Sequence, residues 1–416
     1  MRKMKDSGVA WIGEMPEDWT VKRGKFTLKL LNRPVKETDD VITCFRDGEV
    51  TLRTNRRTDG FTVSVKEIGY QGIEPGDLVI HGMDGFAGSI GISDSRGKSS
   101  PVLVVCDTDE NKRYIMYYLR SMAYNDVFTA LATGIRVRSC DLRWNKLAEL
   151  PYILPSLEEQ NQIVLAIESS TSKVDALISN VQAQIEKLKA YKQSLITEVV
   201  TKGLDPNVPM KDSGVEWIGE IPKCWNMVRG KALFEECDAR SDDGSEELLT
   251  VSQYTGVTPR SQKSVNMFES TTLEGYKICE VGDIAANTMW LWAGAIGVSE
   301  YRGVISPSYN VYRQKEIKYI SSYLDCLLRI PLLVQEYASR STGIRASRLR
   351  LYPKDFMDIM FPVPPIEEQK TIMDILGKKI DMVNQMISIK QSKIEKLELY
   401  KRSLIYEYVT GKKEVS

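Results

Sequence analysis

Apolar residues fall along this chain in two distinct rhythms. Over residues 1–155 and 206–364 they come in short, strand-length runs punctuated by glycine. Leu78-Val79-Ile80 follows Gly76-Asp77 and precedes Ile90-Gly91-Ile92; Ile284-Ala285-Ala286 follows Gly282-Asp283 and precedes Ile296-Gly297-Val298. Runs of this length between glycines predict strands, and short helical stretches at 111–131 and 316–339 are mixed among them. A twisted sheet with a few helices, an α+β fold, is the natural outcome. Over 156–205 and 365–416 the rhythm is helical. Val174, Val181, Leu188 and Leu195 recur every seven residues, with Ile178, Ile185 and Val199 beside them and Lys192 as the exception. The later segment repeats this with Val383, Leu397 and Leu404, then Ile387, Ile394 and Tyr408, broken by Lys390 and Lys401. A sustained heptad buries its stripe against another helix.

The ends of these helices carry their own signals. Ser156-Leu157-Glu158-Glu159 spells a capping box, in which serine and glutamate satisfy each other's free amide donors. Ser169-Ser170-Thr171-Ser172 is expected to interrupt the first helix, because such residues favour local side-chain bonds, and Gly377 weakens the matching place in the second. Gly203 with Pro206 and Pro209 closes the first helix.

The alternation of rhythms is a duplication. Residues 4–25 return at 210–231 with 15 of 22 positions identical, compared as MKDSGVAWIGEMPEDWTVKRGK and MKDSGVEWIGEIPKCWNMVRGK. The offset of 206 holds through Gly76-Asp77 and Gly282-Asp283. It slips to 209 by Thr133-Gly134-Ile135-Arg136 and Thr342-Gly343-Ile344-Arg345. So long a period marks a duplicated module, since solenoid repeats run about 20–50 residues. The chain reads as globular domain 1–155, helical spacer 156–205, globular domain 206–364 and helical spacer 365–416. If the two helical stripes bury each other, the second helix runs back antiparallel and its end lies beside the first domain. The expected molecule is pseudo-two-fold: two heads joined by two long antiparallel coiled-coil helices. About 30 helical residues span roughly 45 Å, comparable to the roughly 34–36 Å between major-groove sites one DNA turn apart. Duplex DNA, itself two-fold, is the partner this plan suits.

Composition narrows the class. The chain has 416 residues, 42% hydrophobic and 27% charged, and a formal net charge of zero, so it is not a protein that coats nucleic acid by charge alone. It has no run of apolar residues long enough to span a bilayer and no apolar segment after MRKMKDSG, which predicts a protein without membrane association. Seven scattered cysteines without CxxC spacing point to reduced thiols and a cytoplasmic setting. Catalytic constellations are missing from the pattern. His81 is the one histidine, which excludes histidine-ligated clusters and paired triads. Gly97-Lys98-Ser99 resembles the end of a phosphate loop, but Ile92 stands where that loop requires glycine. No NPPY- or DPPY-type methylase tetrapeptide is present. No cofactor or metal site is expected on this chain.

Candidate DNA contacts divide by whether the copies share them. Thr133, Gly134, Arg136 and Arg138, with their counterparts Thr342, Gly343, Arg345 and Arg348, form glycine-arginine segments suited to gripping phosphates; a solvated basic loop is the ordinary alternative. Base readers should differ between the copies. The divergent segments offer Arg53, Arg56 and Arg57 in one copy and Gln253, Arg260, Lys263 and Asn287 in the other, with loop drift as the competing explanation. Trp290 and Trp292 stand in the same divergent stretch as Asn287. The paired tryptophans of the openings, Trp11 and Trp19, Trp217 and Trp225, are expected to pack the entering chain against its domain.

The paired DSGVxWIGExPxxW openings, the paired TGIR segments, and the paired P-x(2)-EEQ-x(2)-I starts of long helices ending near YKxSLI resemble the specificity subunit of type I restriction-modification enzymes over nearly the whole chain. The resemblance implies a non-catalytic hub. Each globular part would be a target-recognition domain for one half of an asymmetric bipartite site in double-stranded DNA. The helices would set the gap and dock two modification subunits, which carry S-adenosylmethionine and methylate adenine. Separate restriction subunits would bring ATP- and Mg²⁺-dependent translocation and cleavage. Rival readings are the recognition subunit of a system with a fused methylase-nuclease partner, and a nuclease acting alone.

Overall fold

The computed structural model describes residues 2–56, 67–130, 142–263, 272–343 and 349–415. The chain forms two compact units, Met1–Gln182 with Gln391–Ser416, and Ala183–Lys390. Each contains one α+β head and portions of both long helices, built to one plan.

In the first unit a four-stranded antiparallel sheet runs in the order Lys29–Leu30, Leu103–Asp107, Leu78–His81, Ile90–Ile92. The period-two alternation of a strand sends neighbours to opposite faces. Leu78, Ile80, Val104 and Cys106 enter a core with the helix Lys112–Tyr124, whose Tyr114, Ile115, Tyr118 and Leu119 are buried. Val79, Leu103 and Val105 face the other way, into a smaller core closed by the hairpin Ile42–Cys44 and Val50–Leu52. The sheet is therefore covered on both sides, which is why its strands read as continuous apolar runs. The second unit repeats this with strands Phe234–Cys237, Asn310–Gln314, Ile284–Ala286 and Ile296–Val298, and the hairpin Leu249–Ser252 with Gly256–Pro259. Ile284, Ala286 and Tyr312 lie in its larger core; Ala285 and Val311 lie in the smaller.

The repeated Gly-Asp pairs are the corners of these sheets. Gly76 and Gly282 take φ of +87° and +90°, a conformation open to glycine without strain. The following carboxylates are buried and accept the amides of Glu74 and Glu280 at 2.8 and 2.9 Å. Each also receives a guanidinium fork, Asp77 from Arg33 and Asp283 from Arg313, the latter at 2.7 Å on both oxygens.

The long helices run Leu157–Lys202 and Ile366–Val409, 46 and 44 residues. The first is continuous, so the expected interruption at Ser169–Ser172 does not occur. Thr171 is buried, and its hydroxyl donates to the carbonyl of Ile167 one turn back at 2.8 Å, a bond made within the helix and compatible with its continuation. Gly377 likewise lies within an unbroken helix. Only half of the predicted capping box forms: Glu159 N donates to Ser156 Oγ at 3.2 Å. The Glu159 carboxylate instead accepts from Trp19 Nε1 at 3.1 Å, as Glu368 accepts from Trp225 at 3.0 Å. Both tryptophans are buried, the packing role expected of them.

Within each unit the two helix portions pair antiparallel. In the first, Leu404, Ile405, Tyr408 and Val409 enter the core of the head alongside Ile163 and Ile167. In the second, Leu195, Val199 and Val200 do so alongside Ile372 and Leu376. The end of the second long helix therefore lies on the first head, as its heptads required. Tyr114 Oη donates to the carbonyl of Val409 at 3.1 Å, and Tyr323, 209 residues on, donates to Val200 at 2.7 Å. The three lysines that break the heptads span the pair: Lys401 bonds Asp175 at 2.7 Å in the first unit, while Lys192 reaches Asn384 at 2.9 Å and Lys390 reaches Gln184 at 2.5 Å in the second. Among the described residues no helix is long and apolar enough to cross a membrane.

Candidate nucleic-acid interface

Each head presents two tight turns held side by side. In the first head, the hairpin turn at 45–49 lies against the turn at 82–88 that joins two sheet strands. Arg46 Nη2 meets Asp84 Oδ1 at 3.1 Å, and Arg120 Nη2 donates to the carbonyl of Asp47 at 2.7 Å. His81 shapes the second turn from its start: Nδ1 accepts the amides of Met83 and Asp84 at 3.3 and 2.9 Å. Burial lowers the pKa of His81, favouring the neutral ring that this acceptor role needs.

The second head builds the same frame from different residues. Its hairpin registers on the first at an offset of 207, pairing Val251 with Val257 as Cys44 pairs with Val50. Arg329, which matches Arg120 at offset 209, donates to the carbonyl of Tyr254 at 2.7 Å. Asn287 stands where His81 does and does its work: Oδ1 accepts Met289 N at 3.2 Å, while Nδ2 donates to Tyr309 Oη at 2.9 Å. Asn287 is 6% exposed, so both ends of the amide are engaged inside the turn and do not face a ligand.

The remaining candidates fall into equivalent places. Arg53 and Arg260 each open a short turn directly after the hairpin, their amides donating to Val41 and Leu248 at 2.8 Å. Arg56 and Lys263 follow three residues later. Arg56 lies 4.2 Å over the Phe45 ring and bonds Asp47 and Glu49 at 2.7 and 2.9 Å; the Asp47 hydrogen bond raises its pKa. Burial lowers that of Lys263. Gln253 matches Arg46 at the hairpin turn, and the next residue, Tyr254, is 82% exposed where the first head has Asp47. Thr342 is exposed and forms a two-bond bridge with Arg350, closing the base of its glycine-arginine segment beside Gly343. Thr133, Gly134, Arg136, Arg138, Arg345, Arg348 and Arg57 lie outside the described residues.

Sequence reasoning passed over Arg120 and Arg329, and with them the hairpin-turn residues Arg46, Asp47 and Tyr254. The signal was present, because both arginines share the offset of the TGIR segments. Chemically, the two turns offer a shared basic flank at Arg53/Arg260 and Arg56/Lys263, and a tip that changes from Arg46-Asp47 to Gln253-Tyr254. A guanidinium can fork onto guanine and a carboxamide onto adenine.

No protein-family model matches the chain. It is 24% identical over 439 residues to the putative type I restriction enzyme MjaX specificity subunit of Methanocaldococcus jannaschii, covering 96% of this chain and 95% of that one. It is 23% identical over 415 residues to the type I restriction enzyme MjaVIII specificity subunit of the same organism, covering 96% and 93%. A solved chain from the complex assembly and conformational transition of the type I R-M system superposes with a TM-score of 0.66 at 15% identity, over 95% of this chain and 99% of that one. That likeness carries the α+β fold and its long helices. Along nearly its whole length this chain is similar in sequence to named type I restriction enzyme specificity subunits, and it shares the fold of a solved chain from a type I R-M system.

Proposed function

We propose that this chain reads an asymmetric bipartite site in duplex DNA, one half with each head, and performs no chemistry itself. The observation that carries the reading is the arginine-clamped hairpin turn present in both heads with unlike tips, Arg46-Asp47 against Gln253-Tyr254. Equivalent basic residues, Arg53/Arg260 and Arg56/Lys263, together with the TGIR segments, would hold phosphates and set register. The differing tips would read bases, and unlike tips mean unlike half-sites.

The long helices would set the gap and dock two modification subunits. On the second helix Ile375, Met382, Met386 and Ile389 stand seven, four and three residues apart, on one face. All four are exposed, Ile389 to 70%, as an unpartnered apolar stripe would be before docking. S-adenosylmethionine would reside on those modification subunits, and ATP and Mg²⁺ on the restriction subunits.

The test is to combine the chain with its modification subunit and map methylated adenines by single-molecule sequencing. Two separated half-sites are expected. Exchanging the tips by R46Q with D47Y should alter the first half-site alone. Inserting two helical turns into both long helices should widen the gap and leave each half-site as it was. Failure to methylate any bipartite site, or a gap indifferent to the insertion, would refute the reading.

A further inference from the structure

The second head carries a feature that the first lacks. At its inter-strand turn, Trp290 and Trp292 stack with ring centroids 5.8 Å apart and planes within 23°. Trp290 is 51% exposed and Met289 beside it 41%. Trp292 is fixed from below, its Nε1 donating to the carbonyl of Met289 at 2.9 Å. The turn itself is braced by Asn287 as described, and by Thr288 Oγ1 donating to the carbonyl of Ser308 at 2.6 Å. At the equivalent places the first head has Asp84, ion-paired to Arg46, and Phe86. A stacked pair of tryptophans held outward on a braced turn loses apolar surface to water unless a flat partner covers it.

Its surroundings say which partner. The helix Pro331–Arg340 packs against this turn, with Val334 against Gly294. That helix ends at Arg340, and Arg350 bridges back to Thr342 just beyond it. A stacked, exposed aromatic face on a head that also carries Arg260 and the exposed Arg350 suits a polyanion that also presents π-faces, which is nucleic acid.

We propose that Trp290, backed by Trp292, wedges against a base step of the second half-site and partly unstacks it, so that this head reads deformability as well as base edges. The first head, with an ion pair in that place, would leave its half-site stacked. Wedging side chains of this kind unstack and kink the duplex, and a step that unstacks easily would be selected without any hydrogen bond to its bases. The inference rests on the DNA-reading function proposed above.

The experiment uses the full chain assembled with its modification subunit and a duplex bearing the mapped site, with 2-aminopurine placed in turn along each half-site. Fluorescence should rise at one step of the second half-site and stay flat across the first. W290A should abolish that rise and weaken binding roughly tenfold, as loss of one base–aromatic stack does; W290F should keep most of both. Anisotropy on the same samples reports binding separately. Binding without any 2-aminopurine response overturns the wedge and leaves the reading function standing, and failure to bind any duplex overturns both. A W290A variant that assembles poorly with the modification subunit but keeps the fluorescence rise would assign the pair to a protein interface instead.

Discussion

Gln369→Leu tests the tie between a long helix and its head. Gln369 is fully buried and bonded at every atom that can bond. Its Oε1 accepts Ile320 N at 3.0 Å, and its Nε2 donates to the carbonyls of Lys318 and Pro364 at 2.8 and 2.9 Å. Leucine keeps the volume and orphans three backbone groups. A buried group left unsatisfied costs about 1–3 kcal/mol, so a loss of about 3–5 kcal/mol is expected once partial relaxation is allowed. Gln160 is the internal control. It accepts Asn111 N at 2.9 Å and donates to Glu110 and the Pro155 carbonyl at 2.7 and 3.1 Å. The Glu110 side chain is 17% exposed, so water can replace that bond, and Gln160→Leu should cost about 1 kcal/mol less. Urea unfolding of the intact chain gives the magnitudes, and hydrogen exchange should show loss of protection at Ile320 in one variant and Asn111 in the other. A cost under about 1 kcal/mol in both, or a larger one at Gln160, would refute the accounting.

Asp283→Ala leaves the amide of Glu280 unpaired and frees Arg313, whose side chain is 46% exposed; because that arginine can be hydrated, the expected loss in denaturant titration is about 2–3 kcal/mol and not the larger cost of a dry pair. Replacing Lys192, Lys390 and Lys401 together by leucine should complete the heptads and raise the melting temperature, since polar pairs open to solvent contribute little; a fall would show that these bonds hold the helices together. Burial pushes the thiols of Cys44, Cys106 and Cys279 up to about 12 and that of Cys326 to about 11, whereas Cys224 is exposed. Among these five, a maleimide should tag Cys224 first. A thiol raised in the folded state favours folding fully below the unfolded value of 9.0, so stability should decline as pH rises beyond that value, and alanine at the three deepest positions should flatten the decline.

Much of this was legible in the sequence, because burial imposes a period and the chain states each period twice. Strand-like runs between glycines gave the sheets, and sustained heptads, despite three lysines, gave the antiparallel return of the second helix. What stayed hidden were choices made by side-chain reach. Ser169–Ser172 reads as a breaker until Thr171 is seen to bond back within the helix. Lys192, Lys390 and Lys401 read as faults in a stripe, yet each crosses to a polar residue of the facing helix. Arg53 and Arg260 occupy one structural position, but the offset of 207 linking them falls between the 206 of the openings and the 209 of the TGIR segments. A hairpin whose apolar pattern alone is shared gives alignment little to hold. Asn287 looked like a reader because its equivalent is His81, a different residue performing the same turn-forming task.

That substitution shows how two heads of one ancestry can diverge where divergence matters. Arg120 and Arg329 clamp the hairpin turns through backbone carbonyls, of Asp47 and Tyr254, and a carbonyl is present whatever side chain the residue carries. The turn at 82–88 or 287–295 is braced by any side chain offering an acceptor to the amides after it, so histidine and asparagine both serve. Anchors that ignore tip identity uncouple stability from the residues at the tips. Arg46-Asp47 and Gln253-Tyr254 can therefore differ at little cost to the fold, whereas the buried Gln160 and Gln369, whose bonds name specific atoms, cannot. Exchange of tips should then leave unfolding free energies within about 0.5 kcal/mol, as surface changes usually do, while Arg120→Ala or Arg329→Ala should loosen the whole turn. A tip exchange as destabilising as loss of its clamp would show that fold and tip are coupled after all.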